Sequence, residues 1–288
     1  MSQVRTSPIA WQPEEQAVGR TRRRRSAPLI AGAVILGILI ALAIAAPLLT
    51  KYDPTAQDTS HALLPPSSQH LLGTDQLGRD VWSRLLYGAR IDLGIGFLAV
   101  ILPFVLGTAL GCLAGFFGGW GDTFIMRSVD VVLAFPFFVL VIAIVFVLGP
   151  GTASIFFAIA ITGWVSYTWI VRSEIVNTKR QEYILAARAL GYGRRRIIFR
   201  HLLPNVITQA IVYATSDIVF AILAIVTLGF LGLGVPPPTP EWGSMIADGQ
   251  QFLTTNWQLA TIPGIAVVIT GLGLALLGDG LADILRPG

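Results

Sequence analysis

Residues 28–49 read PLIAGAVILGILIALAIAAPLL, 22 consecutive residues without a charge. As an α-helix this run would measure about 33 Å, enough to cross the hydrocarbon core of a bilayer. Although Ala45-Ala46-Pro47 faintly resembles a cleavage site, the apolar region of a signal peptide is shorter. We therefore expect residues 28–50 to stay in the protein as a first transmembrane helix, preceded by a basic segment, 1–27.

Five more apolar runs follow along the chain, and only Asp217 places a charge inside one of them. Because backbone groups in lipid must bond within their own segment, each run predicts a helix. The runs are residues 93–117, 131–149, 152–171, 206–234 and 259–278. The predicted fold is an all-α membrane protein with six transmembrane helices surrounded by lipid, and residues 91–280 form a five-helix core.

The basic residues are distributed unevenly between the two sides of the membrane. If the N-terminus is cytoplasmic, 16 of the 20 Lys and Arg residues lie in cytoplasmic segments, and eight of these fall in the loop 172–204. The external segment 51–90 holds the other four. This bias predicts that both termini, including the tail 281–288, are cytoplasmic. It also explains the net charge of +4 without a nucleic acid partner.

Residues 182–204, EYILAARALGYGRRRIIFRHLLP, predict two short helices on the cytoplasmic side. Tyr183 to Leu190 are mostly strong helix formers, and Gly191 follows where a C-terminal cap is expected. The second helix would begin at Arg194 and end at Pro204. A basic loop that simply obeys the positive-inside rule would explain the charges equally well.

The spacing of Ala186-Ala187, Gly191 and Leu203-Pro204 resembles the EAA loop of permeases in ATP-binding-cassette (ABC) importers. Leu185 stands where that loop usually has Glu. Four other segments are similar, in the same order, to the C-type permeases of dipeptide, oligopeptide and nickel importers. They are residues 72–90, Phe135-Pro136 with 148–151, residues 230–243, and 277–281. The resemblance covers about 220 residues in order along the chain.

The resemblance implies a type I ABC importer permease fold in the bacterial inner membrane. The loop would form a coupling helix that enters a groove on a cytoplasmic ATPase subunit. Its implied contact residues are Glu182, Tyr183, Leu185, Ala186, Ala187, Gly191, Arg195, Leu203 and Pro204. A homologous second permease and an extracytoplasmic binding protein complete the implied complex. ATP and Mg would be bound by the ATPase subunits, with no cofactor in this chain.

The implied cargo is a small peptide, with nickel chelates or glutathione-like compounds as the alternative. We expect no catalysis by this chain, since it has no Gly-rich phosphate loop, no Ser/His/Asp or Cys/His arrangement and no cluster of metal ligands. Its single cysteine, Cys112, lies in an apolar run, which predicts a small buried side chain.

Asp217 lies about twelve residues into the fifth run, where a bare carboxylate is costly. It is predicted to face protein or water. One hypothesis places it on the translocation path, where it would recognise a peptide amino group or another cation. The alternative is a hydrogen bond to a neighbouring helix. A different class of protein, an ion-coupled secondary carrier, would use Asp217 as its coupling group.

In the external segment, Val81, Trp82, Leu85 and Leu86 have helical spacing, which predicts an amphipathic helix on the outer membrane surface. The segment is either a gate or binding-protein contact, or a simple tether. The candidate residues for the first role are Asp75, Arg79, Asp80, Trp82 and Trp242.

Small residues in the second run predict close packing between helices. Gly107, Gly111 and Gly115 recur every four residues and therefore share one helix face. That face would pack within the chain or against a partner permease.

Overall fold

The computed structural model describes residues 27–285, which are mostly α-helical and form no strand. The predicted segment 1–27, except for its last residue, and residues 286–288 of the predicted tail lie outside this range. A 3-10 turn covers Thr59–His61 and a π turn covers Ile198–Leu202. The helices are α1 (Ala27–Ile44), α2 (Ala46–Leu49), α3 (Val81–Phe117), α4 (Gly119–Leu133), α5 (Phe137–Leu148), α6 (Thr152–Thr178), α7 (Glu182–Ala189), α8 (Arg194–Ile197), α9 (Leu203–Phe230), α10 (Trp242–Gln250) and α11 (Gln258–Leu285).

Five helical units of the described chain are long and apolar enough to cross a membrane. They are α1, α3, α6, the continuous segment Arg194–Phe230, and α11. A sixth span exists if α4 and α5 count as one, but these two helices meet at an angle of 85°. The number of spans agrees with the prediction of six only when this bent pair is counted as one span.

The third apolar run, 131–149, is not one helix as predicted. The chain leaves the helix after Leu133 and begins a new one at Phe137, with Pro136 in an extended conformation at the N-cap. Proline favours such a break because its ring fixes φ and it has no N–H to donate. The apolar helix α5 has 12 residues, about 18 Å, and is too short to cross the bilayer alone.

The external amphipathic helix is not a separate element either. Residues 81–117 form one 37-residue helix, α3, so the predicted boundary near residue 90 does not exist. The charge at Arg90 is accommodated because its guanidinium donates to the carbonyl oxygens of Ala43 (2.6 Å) and Ile44 (3.0 Å) at the end of α1. The first turns of α3 pack inside the protein, where Val81 lies in a buried cluster with Trp242 and Met245 of α10.

The packing of α3 against α6 is the most extensive helix contact in the described chain. Three glycines of α3 make it possible. A Cβ at Gly107 would lie 2.6 Å from Tyr167 Cβ, one at Gly111 2.6 Å from the Thr168 carbonyl oxygen, and one at Gly115 2.9 Å from Ile175 Cβ. The glycine face therefore packs within the chain, as predicted, and is not free for a partner permease. Cys112 is buried in the same core, also as predicted.

Candidate functional site

The loop predicted to lie in the cytoplasm and to couple to an ATPase begins with a short helix that has a defined end. After α7 (Glu182–Ala189), the N–H of Gly191 donates to Arg188 O (2.9 Å) and the N–H of Tyr192 donates to Ala187 O (3.1 Å). This pair of bonds is a Schellman motif, in which the first of the two donor residues has a left-handed backbone. Gly191 supplies that conformation with φ of +77°.

The helix α7 has one buried side and one exposed side. Ile184 is fully buried and Ala187 nearly so, and they hold the helix against the transmembrane core. Ala186, Leu185 and Leu190 face outward, and the last two are 51% and 72% exposed. Neighbouring apolar side chains that are exposed on a loop outside the bilayer are typical of a contact with another protein. Leu185, which stands where the EAA loop usually has Glu, is on this exposed side.

The predicted second helix does not end at Pro204. Residues 194–230 form one continuous helical segment in which the π turn Ile198–Leu202 precedes the proline. A π turn widens the local hydrogen-bond ring, so the missing N–H and the ring of Pro204 are tolerated. Arg195 is exposed, whereas Leu203 is partly buried and Pro204 exposed.

Three contacts connect α7 and the turn after it to the helix that follows. The Arg196 guanidinium lies 4.1 Å from the ring centroid of Tyr192, and that ring stacks on His201 at 5.9 Å. Tyr183 Oη accepts a hydrogen bond from Asn205 Nδ2 (3.0 Å). These contacts join α7 to the first turns of the apolar segment that ends at Phe230.

A cavity of about 240 Å³ lies between α5, α6 and α9, and Asp217 is on its wall. Most of the lining is aromatic or small, and it is open on one side. The lining residues are Phe137, Phe138, Thr162, Gly163, Ser166, Tyr213, Asp217 and Phe220. Aromatic rings around one carboxylate form a site suited to an organic cation.

Asp217 also has a partner on a neighbouring helix. Tyr167 Oη donates to Asp217 Oδ2 at 2.9 Å, and the Tyr167 ring packs edge-on against Phe104 and Tyr213. The structural alternative, a hydrogen bond to another helix, is thus present. It does not exclude the other hypothesis, because the same carboxylate lines the cavity, and the transport role of Asp217 stays a prediction.

Three charged residues of the external segment, Asp75, Arg79 and Arg84, form a buried network. Arg79 Nε donates to Asp75 Oδ2 (2.6 Å), and Arg84 Nε lies 3.4 Å from the same oxygen. Asp80 caps α3 by accepting from the N–H and hydroxyl of Ser83, both at 2.8 Å. These paired charges fix the segment to the start of α3.

Two tryptophans extend the same scaffold. Trp82 Nε1 donates to Leu49 O (3.3 Å), at the end of α2, and Trp242 Nε1 donates to Leu85 O (3.1 Å). Trp242 is only 1% exposed. Each indole therefore joins α3 to a different part of the external region.

Most of the side chains predicted to gate the pore or to contact a binding protein are buried in this structure. Asp75, Arg79, Asp80 and Trp242 are all buried, and Trp82 is partly buried. Their contacts hold the external segment and α10 to the start of α3, and a contact with a binding protein stays a prediction. A role in gating stays a prediction.

The sequence does not predict that two acidic residues of the external contact are buried. Asp92 and Glu241 are both fully buried and lie together where α3 meets the start of α10. Asp92 immediately precedes an apolar run, which made it resemble the boundary of a span. Glu241 was noticed only as part of the segment 230–243. The one sequence signal is the position of the Asp92 carboxylate directly beside an apolar run. No sequence pattern indicates that Asp92 and Glu241 lie together.

Comparison with known families assigns most of the chain. Residues 107–288 match the family described as binding-protein-dependent transport system inner membrane component. Residues 16–66 match the N-terminal transmembrane domain of oligopeptide transport permease C. One match ends within the external segment, and the other begins after it.

Curated relatives align along nearly the whole chain. A dipeptide transport system permease protein of Alkalihalophilus pseudofirmus is 41% identical over 96% of this chain and 91% of its own length. A di/tripeptide permease of Pseudomonas aeruginosa is 40% identical over 90% and 87%. A glutathione transport system permease of Pectobacterium atrosepticum is 40% identical over 92% and 88%.

The fold matches that of a solved transporter. A chain of the MetNI methionine ABC transporter, in a structure titled as an inward-facing conformation, aligns with a TM-score of 0.55 and 17% identity. The alignment covers 71% of this chain and 97% of the other. The predicted type I importer permease fold is confirmed, and the secondary-carrier alternative finds no support. The chain belongs to the inner membrane components of binding-protein-dependent transport systems, as a multi-pass permease.

Proposed function

We propose that this chain is one of two permease subunits of an ATP-driven importer for short peptides, and that α7 couples it to an ATPase subunit. One observation carries the proposal: α7 is anchored by Ile184 while Leu185 and Leu190 stay exposed beside it. An eight-residue helix held in this way is rigid enough to transmit a displacement. Its exposed apolar side chains suit a hydrophobic groove on another protein.

The proposed complex divides the chemistry among its subunits. ATP and Mg are bound by the cytoplasmic ATPase subunits, which perform the hydrolysis, and this chain is not an enzyme. Closure of the ATPase subunits moves α7, and the connection through Tyr192 and Asn205 carries the movement into the segment 194–230. A second permease completes the pore, and an extracytoplasmic binding protein delivers the cargo.

Small peptides are the proposed cargo because the relatives with dipeptide and di/tripeptide names align at 40–41% identity over at least 90% of this chain. The aromatic cavity with Asp217 supports the same cargo class, since a peptide carries a terminal ammonium group. The glutathione permease relative makes glutathione the natural competitor in a test.

The coupling role is tested by substitution of Gly191 in the purified complex. In Gly191→Asp the added Cβ meets no atom within 4 Å, so the protein should still fold and insert. The left-handed backbone and an added charge should nevertheless displace α7 from its partner. We expect peptide-stimulated ATP hydrolysis and uptake to fall by about tenfold or more, as for a loss of at least 1.4 kcal/mol of coupling.

Gly191→Asn is the matched control, because asparagine tolerates the left-handed conformation and adds no charge. It should retain most of the coupled activity. Wild-type uptake in Gly191→Asp would contradict the coupling role. An equal loss of coupled activity in both variants would show that the backbone conformation at residue 191, and not the added charge, determines coupling.

The cargo class is tested separately with the binding protein and the complex in proteoliposomes. Labelled dipeptide uptake should be competed by unlabelled di- and tripeptides more effectively than by glutathione or a nickel chelate. Stronger competition by glutathione would overturn the peptide assignment while leaving the coupling role intact.

A further inference from the structure

The contact between α3 and the external helix α10 contains two fully buried carboxyl groups. Asp92 belongs to α3, and Glu241 precedes α10; both side chains have no exposed surface. The Asp92 Oδ2 atom accepts a hydrogen bond from the N–H of Trp242 at 2.9 Å. Glu241 caps α10 by accepting from the N–H groups of Gly243 (2.6 Å) and Ser244 (2.8 Å). Both acids therefore fix the first turn of one helix.

The charge of the pair is not balanced by a cation. None of the ion pairs in the described chain includes Asp92 or Glu241. Arg84 is the basic residue of the neighbouring region, but it pairs with Asp75 and donates to the carbonyl oxygens of Pro54 and Pro238. The face of α9 that packs on the Glu241 carboxyl consists of Gly229, which has no side chain. Two unpaired negative charges in such a place would cost several kcal/mol each.

The two carboxyl groups are neighbours in the fold. Asp92 Oδ2 accepts from the N–H of Trp242, the residue that follows Glu241, and no N–H or hydroxyl of the described residues reaches the remaining oxygen, Asp92 Oδ1. Two ionised carboxylates have only acceptor atoms, so a bond between them needs a proton. Burial also raises the pKa of the Glu241 carboxyl.

We propose that Asp92 and Glu241 share one proton, and that this protonated pair fastens the external helix α10 to the transmembrane helix α3. One carboxyl group donates to the other, and the pair carries a single negative charge. That charge is stabilised by the backbone N–H groups of Trp242, Gly243 and Ser244. Asp92 and Glu241 are positioning residues, because they set where the loop 231–241 and α10 lie relative to the membrane helices.

Infrared spectroscopy of the purified complex tests for the proton directly. The difference spectrum between wild type and Asp92→Asn at neutral pH should show one protonated carboxylic acid band that the variant lacks. Glu241→Gln should lose the same band, since the remaining acid then ionises. Asp130→Asn is the control, because Asp130 is an exposed partner of Arg127 and should lose no such band. An unchanged band in both pair variants would overturn the proposal.

Hydrogen exchange tests the fastening role. Asparagine at position 92 offers an oxygen to the Trp242 N–H and an N–H₂ to Glu241, so Asp92→Asn should keep amide protection in residues 242–244 within about twofold of wild type. Asp92→Leu has a similar volume but neither group, and should lower that protection on the order of tenfold. Equal loss in the two variants would show that Asp92 must be ionised and would contradict a shared proton.

The stability of the complex should also depend on pH through this pair. The folded pair holds a proton that the unfolded chain has lost at neutral pH, so the folded state is stabilised at low pH and loses that contribution as pH rises. The midpoint of thermal unfolding should therefore fall more steeply in wild type than in Asp92→Asn as pH rises from about 4, the ordinary carboxyl pKa of the unfolded chain, through the raised pKa of the folded pair. Parallel curves would count against the proposal.

Discussion

At the residue scale, the functional chemistry of this permease depends on a few side chains whose surroundings differ. Asp217 has a tyrosine partner on one side and an aromatic cavity on the other. Gly191 is required for its left-handed backbone and not for close packing, because a Cβ there would meet nothing within 4 Å. The same residue type at Gly111 has the opposite reason, a close approach of two helices.

Replacement of Asp217 by asparagine should reduce transport of peptides with a free amino terminus. The proposed contact between the carboxylate and the ammonium group is a charged hydrogen bond, and its loss should lower the uptake rate by about tenfold or more. Uptake is measured in proteoliposomes with saturating loaded binding protein, so that the affinity of the binding protein does not set the rate.

Tyr167→Phe is the matched control for Asp217→Asn, since it removes the hydrogen bond to Asp217 and leaves the charge. It should keep most of the uptake. If Asp217→Asn transports free peptides as fast as wild type, Asp217 has only a structural role.

At the element scale, tertiary contacts and local backbone geometry decide where the helices end relative to the apolar runs. Arg90 did not end α3, because α1 supplies carbonyl acceptors for its guanidinium. Pro204 did not end the cytoplasmic helix, because a π turn precedes it. Pro136 does break its run, and α4 and α5 on either side of it meet at 85°.

Gly111→Val should disrupt the packing of α3 on α6. The added side chain would meet the Thr168 carbonyl oxygen and Val171, and overpacking of this kind costs about 1–3 kcal/mol. The expected result is a lower yield of assembled complex and a lower temperature of unfolding in detergent.

Gly94→Ala provides the control in the same helix, since a Cβ at Gly94 meets nothing within 4 Å. It should leave both quantities unchanged. Normal stability of Gly111→Val would mean that α3 and α6 do not pack as closely as described.

Leu185 should contribute to ATPase binding through its exposed side chain. Leu185→Asp places a charge where an apolar groove is expected, and co-purification of the ATPase subunits should fall by about tenfold. Ile184→Val, on the buried side of the same helix, is a conservative control. Undiminished co-purification of Leu185→Asp would place the contact elsewhere on α7.

At the scale of the whole molecule, a broad apolar surface surrounds the helices. Ile30, Leu98, Val105, Val147 and Val268 each expose more than half of their surface. A soluble monomer rarely exposes contiguous apolar patches of that extent. Lipid and the proposed second permease are the environments that would cover them.

The orientation of the chain is tested by cysteine labelling in intact spheroplasts. In a Cys112→Ala background, a membrane-impermeant maleimide should label Ser60→Cys, in the external segment, and not Arg195→Cys, after α7. Both positions are exposed in the structure, so access to the reagent depends only on the side of the membrane. Both should react after permeabilisation. The reverse pattern would invert the predicted topology.

The sequence by itself determined the membrane class, the number of apolar segments and the position of the short helix that ends before Gly191. These depend on local properties: uncharged length, the Lys and Arg bias, and a run of helix formers that is followed by a glycine four positions after the Ala186-Ala187 pair. Family resemblance added the fold and the importer function, since ordered motifs over most of a chain do not recur by chance.

Only the tertiary structure decided which polar residues are paired and with what. Asp75, Arg79 and Trp242 had been expected on a contact surface, but they are buried because partners distant in sequence satisfy them. Asp92 and Glu241 are 149 positions apart in the numbering and meet only when α3, α9 and α10 pack together. The local sequence determines whether each segment prefers lipid or water. The pairing of buried charges depends on which helices the fold brings together.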